Sequence, residues 1–196
     1  FLLKKYPNIT KDFIPTAPNQ LWVSDITYIA VGNDFAYLSL ITDAYSHKVV
    51  GFYLAQDLSA YGPIMALKMA LKNNPSRENL IHHSDLGLQY YSGGYMKLLG
   101  NIRVSMSEHS DPLENAVAER MNGILKEELL ENYFETFAEA QHQVAIAISI
   151  YNHERPHGSV DMLTPAMAHL QSGELKKRWK NYYKPKSKLV MESVSF

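Results

Sequence analysis

The chain of 196 residues contains no cysteine, which excludes disulfide bonds and thiolate metal sites and fits a reducing compartment such as the cytoplasm. It also lacks an apolar run long enough to cross a bilayer, and no charged segment followed by an apolar one indicates secretion. No membrane association is therefore expected. With 46% hydrophobic residues, the chain can bury one substantial core.

A large excess of one charge is missing too, because the net charge is −1. Its distribution is uneven, however. Residues 20–170 carry 9 Lys+Arg and 17 Asp+Glu, whereas residues 171–196 carry 7 Lys+Arg and 2 Glu. We therefore expect a linker at 1–19, a core domain at 20–170 and a basic arm at 171–196. An acidic body with basic ends is typical of a metal-dependent enzyme acting on a polyanion, and solvated ends of an ordinary domain give the same pattern.

The hydrophobic pattern predicts an α/β fold. Residues 21–54 contain three strands with short connections, which favours an antiparallel meander. A helix at 61–72 follows, and residues 80–106 then form a strand, a helix and a strand, whose crossover makes the two strands parallel. Two helices complete the core, one ending near residue 130 and one capped by Thr136. The sequence thus predicts a mixed five-stranded sheet flanked by helices.

Two aspartates lie where such a fold places functional sites. Asp25 interrupts the run LWVSDITYI at 21–29, which is apolar on both faces and therefore predicts a strand in the middle of the sheet. A carboxylate at that place is costly unless it is paired or bound to metal. Asp85 follows a short strand and precedes Gly87, so it lies at a strand end where open α/β sheets form their sites.

A third acid lies on the helix after residue 115, where two glutamates compete. Glu119 shares a polar stripe with Asn115, Asn122 and Lys126, and a lysine there is placed to meet a phosphate. Glu114 lies about 140° away around the helix, so both glutamates cannot face one metal centre equally well. A solvated helix face would show the same stripe, and periodicity alone leaves the choice open.

Carboxylates from three separate elements suit hard divalent cations. Mg²⁺ takes a few carboxylates and completes its shell with water and substrate phosphate. Two such ions about 4 Å apart can activate a nucleophile and stabilise the leaving oxygen of a phosphodiester, with Asp25 bridging both. Because clustered carboxylates repel one another, we expect them to be splayed or partly protonated without a cation.

Several motifs surround these acids in a fixed order. They are WVSDITY at 22–28, HSDLGLQY at 83–90, SMS at 105–107, ENAVAE at 114–119, LKEE at 125–128, and YNHERPH at 151–157 with Thr164-Pro165. Together they closely resemble the catalytic core of bacterial insertion-sequence transposases related to retroviral integrases, over about residues 18–170. The resemblance implies a ribonuclease-H-like fold and a DDE triad of Asp25, Asp85 and Glu119. It also implies Mg²⁺ or Mn²⁺ as cofactor, with two ions when DNA is bound.

Two features depart from the family pattern. The family usually has Asp where this chain has Glu114, an accessory position before Asn-Ala. In addition, 33 residues separate Asp85 from Glu119, slightly fewer than usual, and a loop before the helix can absorb the difference. We therefore keep Glu119 as the ligand.

The resemblance implies the catalytic domain of a DNA transposase, which hydrolyses a phosphodiester at a transposon end and uses the freed 3′-OH to attack target DNA. Its partners would be double-stranded DNA and further copies of the chain assembled on DNA, in the bacterial cytoplasm and at the nucleoid when acting. A helix-turn-helix region upstream would recognise the ends. The alternatives are a ribonuclease-H-like nuclease without strand transfer and a DNA-binding module that has lost the reaction.

Candidate DNA contacts lie in three places. Gln89 and Tyr90 follow Asp85, and Asn122 and Lys126 lie on the polar stripe. The arm alternates cations with aromatics, so phosphate contacts and stacking would suit DNA, while a solubilising tail has a similar composition. Its candidate contacts are Lys176, Lys177, Arg178 and Lys180.

Other polar residues are better explained by packing. His82 and His83 are adjacent on a strand, so they face opposite ways and cannot both point at Asp85. At the end of the last helix, the resemblance suggests that His153, Arg155 and His157 support the fold or approach DNA. Asn152 and Arg155 are expected to serve packing rather than catalysis.

Overall fold

The computed structural model describes residues 6–75, 78–107 and 116–178. The elements follow the predicted order, with one additional short helix at the end. They are β1 (Leu21–Val31), β2 (Asp34–Asp43), β3 (Val49–Ala55), α1 (Tyr61–Asn73), β4 (Ile81–Ser84), α2 (Gly93–Leu99), β5 (Arg103–Met106), α3 (Ala116–Ile124), α4 (Phe137–His153) and α5 (Pro165–Ala168). Short 3-10 turns lie at Leu88–Tyr91 and Gly158–Val160.

The five strands form one sheet in the order β3-β2-β1-β4-β5. β1, β2 and β3 pair antiparallel, whereas β4 is parallel to both β1 and β5. The predicted mixed sheet is therefore confirmed, and β1 is its central strand. Its first four residues are buried, as the apolar run on both faces predicted.

Each face of the sheet is covered by helices. On one face α1 and α2 pack over a cluster that includes Trp22, Ile41 and Leu80. On the other face α3 and α4 pack over Ile29, Leu38 and neighbouring side chains. Because side chains alternate along a strand, Asp25 shares the α3 side with Ile29. The layer architecture thus determines which helix can reach the carboxylate of Asp25.

Three helices begin with a side-chain N-cap, which is Ser92 for α2, Thr136 for α4 and Thr164 for α5. The Thr136 side chain accepts a hydrogen bond from Glu139 N at 3.2 Å, which confirms the predicted N-cap of α4. The preceding helix differs from the prediction, because α3 ends at Ile124 and the chain continues as a π-helical turn over Leu125–Leu129. Leu130 N accordingly donates to Leu125 O at 2.8 Å, a five-residue step.

The beginning of the basic arm runs along the body of the protein. Asp161 N donates to Lys176 O at 2.9 Å, and Arg178 N donates to Gly158 O at 2.6 Å. Residues 171–178 form neither helix nor strand. Among the helices of the described segments, none is long and apolar enough to span a membrane.

Candidate active site

Strand register brings the two aspartates together. In the parallel pair β1–β4, Ser24 lies opposite Ser84, so the next residues, Asp25 and Asp85, leave the paired region side by side. Asp25 is partly buried on the central strand, and Asp85 is exposed just beyond β4. The parallel pairing of β1 and β4 thus brings together two acids that are separated by 60 positions in the chain.

The surroundings of Asp25 shift the pKa of its carboxyl group. Its pKa is raised from 3.8 to about 6, mainly by burial and also by the carboxylates of Asp85 and Glu119, while the hydrogen bonds from the Ile26 backbone and the Asn122 side chain lower it. All three acids are therefore electrostatic neighbours. A buried acid repelled by two others gains from a bound cation.

Helix α3 supplies the third acid and a partner for the first. Glu119 lies in the first turn of α3 and is exposed. One turn later, Asn122 Nδ2 donates a short hydrogen bond to Asp25 Oδ2. Glu114 and Asn115 lie outside the described residues, so the competition between the two glutamates rests on helix phase and motif.

The three acids are close without forming a closed set of ligands. Within residues 6–75, 78–107 and 116–178, no three acidic or histidine side chains lie close enough together to hold one ion. Mutual repulsion of the carboxylates favours such an open arrangement. The donor set nevertheless fits a hard divalent cation, because it consists of oxygen atoms only. The buried Oδ1 of Asn122, which has no hydrogen-bond partner, points to the same kind of occupant.

Gly87 keeps the Asp85 carboxylate in place. Gly87 N donates to Asp85 Oδ1 at 3.0 Å. A Cβ atom at this glycine would lie 2.9 Å from the same oxygen and 3.1 Å from Gln89 Oε1. Gly87 was predicted only as the residue that follows a strand end; its spacing of two residues from Asp85 was the signal for this turn.

The four candidate DNA contacts near the acids separate into two groups. Asn122 and Lys126 lie beside Asp25. The Asn122 side chain donates a hydrogen bond to Asp25, and the negative charge of Asp25 raises the pKa of Lys126 against the lowering by burial. Gln89 is partly exposed, and its Nε2 donates to Leu58 O at 3.0 Å.

Tyr90 does not have the exposed position expected of a DNA contact. The 3-10 turn after Gly87 directs its ring into the core, where only 2% of the residue is exposed and the ring packs edge-to-face on Tyr95. A buried ring offers DNA no surface, so the expected contact at Tyr90 is corrected to a core position below the two aspartates.

The described part of the arm lies away from the acids. Arg178 Nε donates to Asp161 Oδ1, and Lys177 is close enough to lower the pKa of His47, after burial the second cause of that shift. His47 belongs to the β2–β3 turn, which adjoins the start of β1, whereas Asp85 follows the opposite end of β4. The structure therefore does not bring Lys176, Lys177 and Arg178 to the triad, and Lys180 lies outside the described residues.

The two histidines before Asp85 are both buried structural groups. His82 Nε2 lies 2.7 Å from Ser24 Oγ and 2.8 Å from Tyr95 OH. His83 Nδ1 lies 2.9 Å from Ser105 Oγ, on the other side of the strand. Burial lowers the pKa of His82 to about 3, so it is neutral. These links cross β1, β4 and β5 immediately before the acids.

The downstream motif supports the fold, as expected. Asn152 Oδ1 accepts from Val49 N and its Nδ2 donates to Val49 O, both at 3.0 Å, which joins α4 to β3. Arg155 donates through Nε and Nη2 to both carboxylate oxygens of Glu128 at 2.8 and 2.9 Å. The second pair ties the π-helical turn to the end of α4.

Solved structures share this fold. A chain of the simian T-cell lymphotropic virus intasome superposes with a TM-score of 0.68 and 20% identity, covering 99% of this chain and 66% of that one. The catalytic core domain of the HTLV-2 integrase, solved in complex with magnesium, gives a TM-score of 0.61 and 18% identity, covering 80% of this chain and 99% of that one. The fold is therefore that of integrase catalytic cores, which is ribonuclease-H-like.

Sequence comparison gives the family. Models described as integrase core domain match residues 15–112 and 100–165. A transposase-like protein of Haemophilus influenzae is 32% identical over 84% of this chain and 77% of its own length. The 31 kDa protein of insertion element IS600 from Shigella sonnei is 36% identical and the IS904 transposase of Lactococcus lactis 34% identical, over 82% and 81% of this chain. This chain spans 61% and 65% of those two relatives. It belongs to the integrase-core DDE family of insertion-sequence transposases.

Proposed function

We propose that this chain is the catalytic domain of a DNA transposase, which hydrolyses a phosphodiester at each transposon end and joins the 3′-OH to target DNA. The observation that carries the proposal is the convergence of three acids, Asp25, Asp85 and Glu119, on one edge of an integrase-core fold. Two contacts support it: strand pairing ends with Ser24 opposite Ser84, directly before Asp25 and Asp85, and Asn122, one turn beyond Glu119 on α3, donates to Asp25.

The three carboxylates would hold Mg²⁺ or Mn²⁺, two ions with DNA bound. Bound there, such ions supply Lewis acidity and stabilise charge on the attacking and leaving oxygens of the phosphodiester. The chain's own residues do the rest. Asp25 is positioned by the central strand, Asn122 orients its carboxylate, and Gly87 orients that of Asp85. Lys126, beside Asp25, offers a cation to the DNA backbone.

The partners follow from the reaction. Two transposon ends must be joined to one target, so at least two copies of the chain would act together on double-stranded DNA. Light scattering of the chain alone and with a duplex would measure this, with a dimer or larger assembly expected on DNA. A single copy per duplex at saturation would contradict the assembly. The site of action would be the bacterial cytoplasm, at the nucleoid.

The experiment that tests the proposal measures nicking and strand transfer on supercoiled plasmid with Mg²⁺ or Mn²⁺. A labelled oligonucleotide with a free 3′-OH serves as the strand to be joined. Asp25→Ala, Asp85→Ala and Glu119→Ala should each reduce both reactions roughly a hundredfold or more, because charge stabilisation by the cation is worth several kcal/mol. Asp12→Ala, which removes an exposed carboxylate elsewhere, is the matched control.

Each outcome of this assay tests one part of the proposal. Unchanged activity in one of the three variants would remove that residue from the triad. Nicking without joining would favour the ribonuclease-H-like nuclease. A wild-type chain that binds DNA and does neither would favour the module that has lost the reaction.

A further inference from the structure

The geometry points to a binding site for an unpaired nucleobase of the DNA strand, formed beside the triad by Tyr28, Phe35 and Lys126. We call these three side chains the aromatic shelf. The inference rests on the proposed function for its ligand, DNA, and adds to it a site that recognises a base rather than a phosphate.

Two aromatic rings are exposed at this place. Tyr28 is 59% exposed and Phe35 is 48% exposed, although the two rings pack edge-to-face with centroids 5.3 Å apart. Tyr28 lies on β1 three residues beyond Asp25, which corresponds to about 10 Å along a strand. Because side chains alternate along the strand, Tyr28 lies on the face opposite to Asp25, and Lys126 contacts its ring at the edge of β1 that β4 leaves open. A DNA strand that follows this edge can reach both the acid and the ring.

A cation completes the shelf. Lys126 Nζ lies 4.0 Å from the centroid of the Tyr28 ring, within cation–π distance. The π-helical turn that begins at Leu125 positions this lysine. Partial burial lowers the pKa of Lys126, and the nearby negative charge of Asp25 raises it in part. One ammonium group thus adjoins both the ring and the acid site. It is placed to pair with the phosphate of a nucleotide whose base lies on the ring.

The surface around the shelf is concave. A depression of about 200 Å³ is lined by the shelf together with Ile29, Ala30, Leu130, Glu131 and Asn132. It lies where β4 no longer pairs with β1 beyond Ser24; within the described residues, the next backbone partner on this side of β1 is Phe134, which bridges to Val31. Glu131 contributes an anion to the same depression, which leaves Lys126 as the lining residue that attracts phosphate.

The shape and chemistry select an unpaired base. Inside a duplex the bases are stacked on one another, and an aromatic side chain reaches their faces only when a base is unstacked. Stacking on a ring is tolerant of sequence, because every base has a π-face. Strand ends that are being cut and joined supply such bases. The occupant we assign is therefore a nucleotide in a single-stranded segment next to the scissile phosphate.

A binding experiment in EDTA tests the shelf without catalysis. Two labelled DNAs are compared with the full chain: a duplex with a four-nucleotide single-stranded tail carrying 2-aminopurine, and a blunt duplex with the same label. Tyr28→Ala should weaken binding of the tailed DNA roughly tenfold to a hundredfold and abolish quenching of the 2-aminopurine, while binding of the blunt duplex stays unchanged. Tyr28→Phe should behave as the wild type.

The chain provides a matched control. Tyr61 is 55% exposed and packs edge-to-face on Tyr53 with centroids 5.6 Å apart, on β3 at the edge of the sheet away from β4. Tyr61→Ala should leave both DNAs unaffected. Equal affinity of Tyr28→Ala and Tyr61→Ala for the tailed DNA would overturn the shelf, as would an equal loss on tailed and blunt DNA.

The shelf and the proposed catalysis can fail separately. Binding of tailed DNA that depends on Tyr28, in a chain that does not nick plasmid with Mg²⁺, would retain the shelf and remove the catalytic proposal. Nicking and joining in a chain whose affinity for tailed DNA is independent of Tyr28 would do the opposite.

Discussion

At Asp25 the fold holds a carboxylate where it is unfavourable for stability. The side chain is partly buried and is repelled by Asp85 and Glu119, and only Asn122 and a backbone N–H oppose these effects. Sites that bind cations commonly carry such strain, because the same repulsion that destabilises the apo protein is relieved by the ion.

Asp25→Asn should therefore stabilise the protein without metal. Because the folded-state pKa is raised from 3.8 to about 6, the folded protein binds the proton more tightly, and ionisation at pH 7 reduces stability by up to about 3 kcal/mol. The variant should recover much of this at pH 7 and little at pH 4. Urea unfolding at both pH values measures it, with the exposed Asp34→Asn as control. A variant less stable than the wild type at pH 7 would contradict the account.

Two buried tyrosines provide a matched pair. Tyr90 OH has no hydrogen-bond partner in the structure, whereas Tyr95 OH lies 2.8 Å from His82 Nε2. Tyr90→Phe removes an unsatisfied hydroxyl and should raise the free energy of unfolding by about 1 kcal/mol. Tyr95→Phe leaves the buried His82 with one partner fewer and should lower it by about 1–2 kcal/mol. Thermal unfolding of both variants compares the two, and a destabilised Tyr90→Phe would show that this hydroxyl has a partner in solution.

Between elements, the closest contact lies where α1 crosses the sheet. A Cβ atom at Gly51 of β3 would lie 2.2 Å from Ala66 O and 2.9 Å from Ala70 Cβ. The glycine thus permits α1 to approach the sheet closely, and the small alanines on α1 complete that contact.

Gly51→Ala should lower the free energy of unfolding by about 1–3 kcal/mol, because the new methyl group meets backbone that cannot move aside. Gly123→Ala is the control, since a Cβ there meets nothing within 4 Å and the position lies inside α3. It should raise stability by about 1 kcal/mol through helix propensity. Urea denaturation compares them, and equal effects of the two substitutions would contradict the close approach.

The strands were predictable because their signals are local. Alternation, turn residues and the apolar run around Asp25 predicted the central strand, and parallel pairing then places Asp25 beside Asp85. The π-helical turn was not predictable, since LKEELL continues a helical pattern whether the backbone step is four or five residues. The position of Tyr90 was missed for a similar reason. Its proximity to Asp85 in sequence suggested exposure, but a 3-10 turn reverses its direction.

The exposure of the aromatic shelf depends on where a strand distant in sequence, β4, ends. Tyr28 is exposed because β4 ends its pairing opposite Ser24, and nothing in the residues around Tyr28 indicates the length of β4. The motifs were enough to propose Asp25, Asp85 and Glu119 as site residues, whereas this surface is visible only in the assembled sheet.

For the whole molecule, buried histidines govern the response to acid. Burial, reinforced by nearby positive groups, lowers the pKa of His82 to about 3 and those of His47 and His157 to about 4. Below the unperturbed value of about 6.5, the unfolded chain therefore binds protons that the folded protein rejects. The contribution of these neutral histidines to the free energy of unfolding is fully present above pH 6.5 and is lost as the pH falls toward 4.

The free energy of unfolding should accordingly fall by up to about 4 kcal/mol per pH unit between pH 6 and 4.5, offset by about 1.4 kcal/mol per unit from Asp25, which gains stability on protonation. Urea titrations across this range measure the slope. His142→Gln, an exposed position on α4, should leave the profile unchanged. A flat profile down to pH 4.5 would contradict the burial of these three rings.

Trp22 gives the central strand an optical reporter. It is fully buried, its Nε1 donates to Asn19 Oδ1 at 3.1 Å, and it lies three residues before Asp25. The only other tryptophan in the sequence is Trp179. In a Trp179→Phe variant, all indole emission would arise from one ring enclosed by the sheet and α1, so a red shift would signal that water has entered the layer beneath the acids.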